Sequence, residues 1–357
     1  MDSSVSAPKE SAEEYTPLAL QEPTQPRGLG WQLLYWGANA SIGVGNIVFY
    51  TLLLPYKIAL LSPAGQTSAF IVLSGIGAVA SILTNPLIGA LSDRTTSQLG
   101  RRFPWLLVGM IVLLVAMLAL ASATSLLVLG IGSVLLQIAI NMLLAALSAL
   151  LPDQVPLRQR ATVGAWGGMA PLVGGLLGQV LVGQVFRDLN TAFLDLALLA
   201  VILLLAFCCV LRETPLPKAS AEPFHLRDVP RSLWLSPRRY PEFALVWWAR
   251  VLIFLVSTTV INYLFYYLQD MHLFSLATAT TGVQQFFTIY VVTILLASLL
   301  CGKMSDVLQH RKPFVLAGSM LMAGGVALLA FVPLWPLVLV ASGILGTGFG
   351  MYLACDL

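Results

Sequence analysis

The chain has 357 residues, of which 58% are hydrophobic and 10% charged, with a formal net charge of +3. Soluble domains carry roughly a quarter of their residues as charges, so this composition and a mean hydropathy of +0.87 exclude an ordinary soluble protein. The small positive balance comes from arginines at helix ends and implies no nucleic-acid partner.

Residues 1–30 are polar, rich in Pro, Glu and Ser, and lack the basic start and short apolar core of a secretory signal, so they read as a disordered cytoplasmic tail. From Trp31 onward, apolar runs long enough to cross a bilayer follow one another almost without interruption. Ten are expected, over 31–54, 67–91, 104–124, 126–151, 162–185, 191–211, 243–268, 280–301, 313–332 and 334–357. A closed barrel needs short segments of alternating polarity, so these long continuous runs predict an all-α membrane protein. Residues 212–242 are charged and proline-rich, a cytoplasmic linker dividing a six-helix bundle at 31–211 from four helices at 243–357.

With the N-terminus inside the cell, 16 of the 19 Lys and Arg fall on cytoplasmic segments, leaving Lys57 and Arg187 outside and Arg250 within a span. That bias sets the expected topology in the plasma membrane. The four cysteines, Cys208, Cys209, Cys301 and Cys355, lie in predicted spans and offer neither a disulfide framework nor metal-ligand spacing. No cofactor is expected.

An internal repeat emerges at two helix ends. After the second span come Gly89, Leu91, Ser92 and Asp93, then Gly100, Arg101, Arg102 and Pro104; after the eighth come Gly302, Met304, Ser305 and Asp306, then Arg311, Lys312 and Pro313. The fourth and tenth spans also both close on an aspartate, Asp153 and Asp356. A duplicated six-helix unit fits this pattern, with the second copy stopping after its fourth helix.

Asp93 sits at a helix C-terminus, where the macrodipole disfavours a carboxylate. Arg94, Arg101 and Arg102 are candidates to compensate it, as is the start of a neighbouring helix. Such a cluster, closed in one state and open in another, makes a latch for a rocking bundle; the alternative is that these arginines only follow the positive-inside bias. Asp153 and Asp356 are expected at the same cytoplasmic gate, with Arg158 and Arg160 as partners of Asp153, and Asp306 with Arg311 as the echo in the second half.

The stretch GALSDR (89–94) followed by GRR (100–102) resembles the signature loop between the second and third helices of the major facilitator superfamily. The insertion before GRR, Pro104 after it, and the segments NPLIGALSDRT (85–95), LLPDQVP (150–156) and NYLFYYLQD (262–270) resemble the glycoside, pentoside and hexuronide cation symporters and the sucrose/proton symporters. The resemblance covers residues 31–357. It implies a twelve-helix alternating-access carrier, here expected as six plus four helices with the last two missing, and a cavity lined by the first, fourth, seventh and tenth spans. Sodium-coupled members of that branch place carboxylates in the second helix; residues 67–91 contain none, which leaves a proton as the expected coupling ion.

Those cavity spans carry polar stripes at helical spacing: Tyr35, Asn39 and Asn46; Gln137, Asn141 and Ser148; Asn262 and Tyr266. Amides beside aromatic rings suit a neutral polyhydroxylated solute such as a sugar, although the same groups also tie helices together without a ligand. Asn85, Gln284 and Gln285 are secondary candidates. Gly164 with Gly168, Gly174 with Gly178 and Gly346 with Gly350 have the spacing of close helix contacts. For coupling, Asp195 either carries a proton or is a wet interfacial carboxylate, and Arg250 either snorkels or faces the cavity. An enzyme finds no support: His225, His272 and His310 lie at or outside helix ends, and no HExxH is present. The expected function is a sugar/proton symporter, with an exporter of apolar compounds or a non-transporting membrane protein as the alternatives.

Overall fold

The computed structural model describes residues 21–184, 189–217, 238–308, 312–332 and 334–356. Its helices are α1 (Leu29–Val48), a π turn (Phe49–Leu53), α2 (Leu54–Leu61), a single 3-10 turn (Pro63–Gly65), α3 (Gln66–Asp93), α4 (Phe103–Ala121), α5 (Leu126–Gln154), α6 (Leu157–Gln184), α7 (Leu189–Cys208), α8 (Pro241–Asp270), α9 (Leu276–Leu308), α10 (Lys312–Phe331) and α11 (Trp335–Asp356). Ten of the resulting helical stretches are long and apolar enough to cross a membrane. Each matches an expected span, and most run a few residues further into polar ends, because a helix continues until its backbone groups find other partners. The first span runs on through the π turn and α2 to Leu61.

Within the first six spans, α1 packs along α6 and α7, while α3 and α4 pack on α5. The same second-on-fourth and third-on-fourth arrangement returns as α9 on α11 and α10 on α11, the structural form of the repeat seen in the sequence. Small residues set the closest seams. A Cβ at Gly174 would strike the Ala40 carbonyl, and one at Gly350 would lie 2.5 Å from the Ile294 carbonyl, so α6 meets α1 and α11 meets α9 backbone to backbone. Gly168, expected to share that role, has nothing within 4 Å of an added Cβ.

Hydrogen bonds from side chains fix the remaining seams. Ser342 Oγ donates to Phe286 O at 2.6 Å, Ser298 Oγ to Gly350 O at 2.9 Å and Tyr267 Oη to Leu329 O at 2.7 Å, and the Ser257 and Tyr290 hydroxyls meet at 2.6 Å. In hydrocarbon such groups have no water to turn to, so each is held by a neighbouring helix.

The described end of the polar segment before α1 is tied to the bundle. Arg27 Nε donates to Gln154 O at 2.8 Å, its backbone N–H to Gln159 Oε1 at 2.9 Å, and its guanidinium also reaches Gln154 Oε1 and stands 5.4 Å from the Trp31 ring centre. Residues 21–28 are thereby fastened over the turn between α5 and α6. Residues 1–20 of the expected tail and 218–237 of the expected linker lie outside the described residues.

Candidate functional site

Three polar or aromatic groupings are spaced along the bundle: a charged rim at one end, a polar set near mid-span, and an aromatic seam at the other end.

The rim is built where α3 and α5 end and α4 begins. Arg102, 4% exposed, donates through Nη2 to Asp93 Oδ1 at 2.5 Å, through Nε to Asp153 Oδ2 at 3.0 Å, and through Nη1 to Ser92 Oγ. Arg101 Nη2 reaches the other Asp153 oxygen at 3.0 Å. Both aspartates sit at negative helix ends, and the two guanidinium groups compensate them. These cations in turn stand at the positive start of α4. Glu213, just beyond α7, answers that: its carboxylate accepts the N–H groups of Arg102 at 2.9 Å and Phe103 at 3.1 Å, capping α4 from 110 residues away. Burial pushes the Glu213 carboxyl above the usual glutamate range, against the pull of those two N–H bonds and of the Arg102 charge. Gly100 turns the loop with φ of 105°, and an added Cβ there would collide with the Glu213 side chain.

Among the described residues, every ion pair of this cluster lies within the first six spans, so it is a clasp inside one bundle rather than a bridge between two. Asp153 takes Arg101 and Arg102 as partners instead of the expected Arg158 and Arg160. The reason is geometric: α6 turns away after Pro156, leaving Arg158 exposed, while Arg160 Nη2 donates to the Pro152 and Val155 carbonyls at 3.3 Å and approaches Glu22 at 3.5 Å. Arg94 Nη1 bonds back to Ala90 O at 2.9 Å on its own helix, and Gly89 has open space around it. The side chains of Asp306 and Asp356, and Arg311 altogether, lie outside the described residues.

Near mid-span the first helix widens into the π turn, a rare irregularity that recurs at functional sites. Asn46 Oδ1 is buried there with no hydrogen-bond partner among the described residues, and one turn on the buried Tyr50 hydroxyl has the Gln137 side chain beside it. Tyr50 Oη lies 2.6 Å from where a Cβ at Gly77 would be, with Gln137 Cγ at 3.3 Å from the same point. The hydroxyl therefore faces α3 and α5. Asn141 Nδ2 bonds to Gln137 O at 2.9 Å and its Oδ1 accepts from Asn85 Nδ2 at 3.4 Å. Asn46, Tyr50, Gln137, Asn141 and Asn85 thus form a polar level across α1, α3 and α5. Tyr50 is absent from the expected stripes, since a tyrosine in an apolar run reads equally as packing.

Two expected members are elsewhere. Tyr35 Oη donates to Leu147 O at 3.0 Å, and its ring stacks on Trp31 with centroids 5.2 Å apart and meets Phe207 edge-on at 5.7 Å. Asn39 Nδ2 bonds to the Tyr35 carbonyl at 2.9 Å. The Tyr35 ring lies against Gly167 of α6 and the end of α7 while its hydroxyl reaches α5, and Asn39 lies beside Gly167. Both are engaged within the first bundle. Ser148 Oγ bonds within its own helix to Ala145 O at 3.1 Å.

At the end away from the rim, Phe70 meets Tyr263 and Tyr266 with centroids 5.3 and 5.4 Å apart, and Tyr56 meets Phe265 at 6.4 Å. These rings join α2 and α3 to α8, closing that end. Asn262, one turn before Tyr266, is half-buried. Toward the rim the first turns of α8 are largely exposed, and Arg250 stands over the Phe254 ring at 5.6 Å, itself packed on Phe349 and Tyr352 of α11. Asp195 is half-buried on α7.

Comparison with known proteins agrees with this architecture. The Major Facilitator Superfamily profile matches residues 30–356. A search of curated protein sequences finds no significant match. Among solved structures, the chain is similar to a D-xylose–proton symporter (TM-score 0.63, 14% identity, 90% of this chain and 80% of that one) and to the human organic anion transporter MFSD10 (0.61, 16%, 92% and 85%). It is similar also to an inward-facing bacterial homologue of the lysosomal transporter Spinster (0.59, 16%, 92% and 73%). At these identities the likeness speaks for the fold. Ten membrane-length helices, the repeated packing and a profile match spanning nearly every residue lead to one conclusion: the chain belongs to the major facilitator superfamily, a family of transporters rather than enzymes.

Proposed function

We propose that this protein carries a small neutral polyhydroxylated solute, a sugar or glycoside, across the plasma membrane by alternating access, with a proton moving alongside it. One observation carries the reading: among the described residues Asn46 Oδ1 stands buried without a hydrogen-bond partner, one turn from a buried Tyr50 hydroxyl that has only the Gln137 side chain beside it at the π turn, on a level with Asn141. An unsatisfied polar group at membrane depth costs several kcal/mol, and that cost is removed when a ligand supplies hydroxyls. Amides that donate and accept, together with a phenol, match a sugar's alternating donors and acceptors.

The aromatic seam at one end and the exposed start of α8 at the other suit a carrier open toward its arginine-rich rim. The positive-inside bias puts that rim in the cytoplasm. The clasp of Asp93, Arg101, Arg102, Asp153 and Glu213 then keeps α3, α4, α5 and the segment after α7 moving as one body. Asp195, a carboxylate inside a span, is the first candidate for the proton, and Arg250 stands at the α8–α11 seam, where it can tune the cavity.

The test is uptake of labelled sucrose and D-xylose into proteoliposomes, with and without an inward proton gradient. Accumulation driven by the gradient is expected. Correctly inserted protein that takes up neither sugar but moves apolar dyes would replace this reading with the exporter.

A further inference from the structure

Three residues that line one hollow, remote from the mid-span set, each carry a buried polar atom without a hydrogen-bond partner among the described residues: Gln66 Oε1, Tyr266 Oη and Gln269 Nε2. The hollow measures about 210 Å³ and lies at the end of the molecule opposite the rim. The Pro63–Gly65 turn and the first turn of α3 form one wall, and the last turn of α8 forms the other. Its lip is exposed, through Pro63, Ala64, Thr67, Ser68 and Asp270. Its floor is not: Tyr266 is 5% exposed, its ring held edge-on by Phe70 at 5.4 Å and Phe265 at 5.8 Å.

The chemistry of the lining selects among ligands. The phenol both donates and accepts, the Gln269 amide nitrogen donates and the Gln66 oxygen accepts. The first-turn N–H groups of α3 have no side-chain cap and add donors. Alone, that helix start would favour an anion, but the Asp270 carboxylate on the lip opposes one. Mixed donors and acceptors beside a negative lip fit a neutral, hydroxyl-rich solute of about one sugar ring.

We propose that this hollow is an outer subsite, where such a solute docks on Tyr266, Gln66 and Gln269 before the far end opens. The proposal rests on the sugar-carrier reading and extends it: the ring that shuts the far end carries the hydroxyl that meets the solute, so occupancy acts on the gate itself. A solute that draws the Tyr266 hydroxyl toward the hollow loosens the Phe70 contact that ties α8 to α3 at the seam.

The experiment uses the whole chain in nanodiscs, with Cys208, Cys209, Cys301 and Cys355 replaced by serine and one reporter cysteine added: Thr67→Cys on the lip, or Ser148→Cys on the α5 polar stripe between Asn141 and the rim. Labelling by a hydrophilic maleimide is timed with and without sucrose or D-xylose. Sugar is expected to slow labelling at position 67 several-fold, and Tyr266→Phe, which keeps the ring, is expected to abolish that protection while leaving the sugar-free rate unchanged. Protection at 148 without protection at 67 overturns the outer subsite and keeps the carrier reading. Protection at neither, with no uptake, overturns both. Protection at 67 that survives Tyr266→Phe also overturns the subsite as assigned. Should Thr67→Cys fail to fold, Ser68→Cys reports from the same lip.

Discussion

Asp153 Oδ2 accepts from Arg102 Nε at 3.0 Å, and the same Arg102 side chain reaches Asp93 Oδ1 through Nη2 at 2.5 Å. The two aspartates are unequal partners. The Asp153 side chain is 21% exposed and also holds Arg101, whereas that of Asp93 is 56% exposed. Removing one partner of a buried charge costs about 3–5 kcal/mol, and an exposed pair at most about 1 kcal/mol. Asp153→Asn is therefore expected to lower the Tm of the purified protein well below that of Asp93→Asn. Asp93→Asn should insert and melt nearly normally yet abolish uptake; near-normal uptake in that variant removes the latch.

Glu213 gives the rim a dependence on pH. Its carboxyl lies above the usual glutamate range because of burial, so the folded protein binds this proton more tightly than the unfolded chain. Stability from this group is fully present below the ordinary glutamate value and is lost as pH rises through the folded value. Glu213→Gln keeps an oxygen for the Arg102 and Phe103 N–H groups but cannot ionise. Its Tm should stay flat across that window while the wild-type Tm declines on raising the pH. Parallel curves would show that Glu213 does not titrate there.

Much of this was legible because hydrophobic length and helix-end charge are local properties. The ten spans follow from continuous apolar runs, and the Asp93 and Arg102 contact from two residues in one short loop. Glu213 was hidden, since its partners lie 110 residues upstream and a glutamate after a span looks like any interfacial charge. Tyr35 and Asn39 misled for a related reason: a polar stripe shows which residues share a helix face, not which neighbour that face meets. Here it meets α5, α6 and α7. Tyr50 became visible only once the fold set its hydroxyl beside Gln137 at the π turn.

The two rim glycines separate a structural need from one tied to motion. Gly100 adopts φ of 105° and abuts Glu213, so Gly100→Ala should cost more than about 1 kcal/mol in a melting experiment. Gly89 lies inside α3 with nothing within 4 Å of an added Cβ. Gly89→Ala should therefore stabilise this state by about 0.5–1 kcal/mol. If uptake falls while the Tm rises, the space beside Gly89 is needed in another state of the cycle. Unchanged uptake would remove Gly89 from the gate.

Tyr50 and Tyr35 lie on the same span, and removing each hydroxyl distinguishes ligand binding from packing. Tyr35→Phe deletes a bond to Leu147 O and leaves that buried carbonyl with one partner fewer, a loss of about 1 kcal/mol. Solute affinity should not change, because the Tyr35 ring is packed on α6 and α7 and its hydroxyl is already bonded to α5. Tyr50→Phe deletes a hydroxyl whose neighbour is the Gln137 side chain, an amide with further hydrogen-bonding capacity, so stability should fall by no more than about 1 kcal/mol. If the solute bonds there, half-saturation for uptake should rise about tenfold, the effect of about 1.4 kcal/mol of binding energy. Melting and concentration-dependent uptake on the two variants give four numbers with different expected patterns. A Tyr50→Phe protein that is destabilised beyond that limit yet transports with normal affinity would make the π turn a packing feature and move the solute site elsewhere in the bundle.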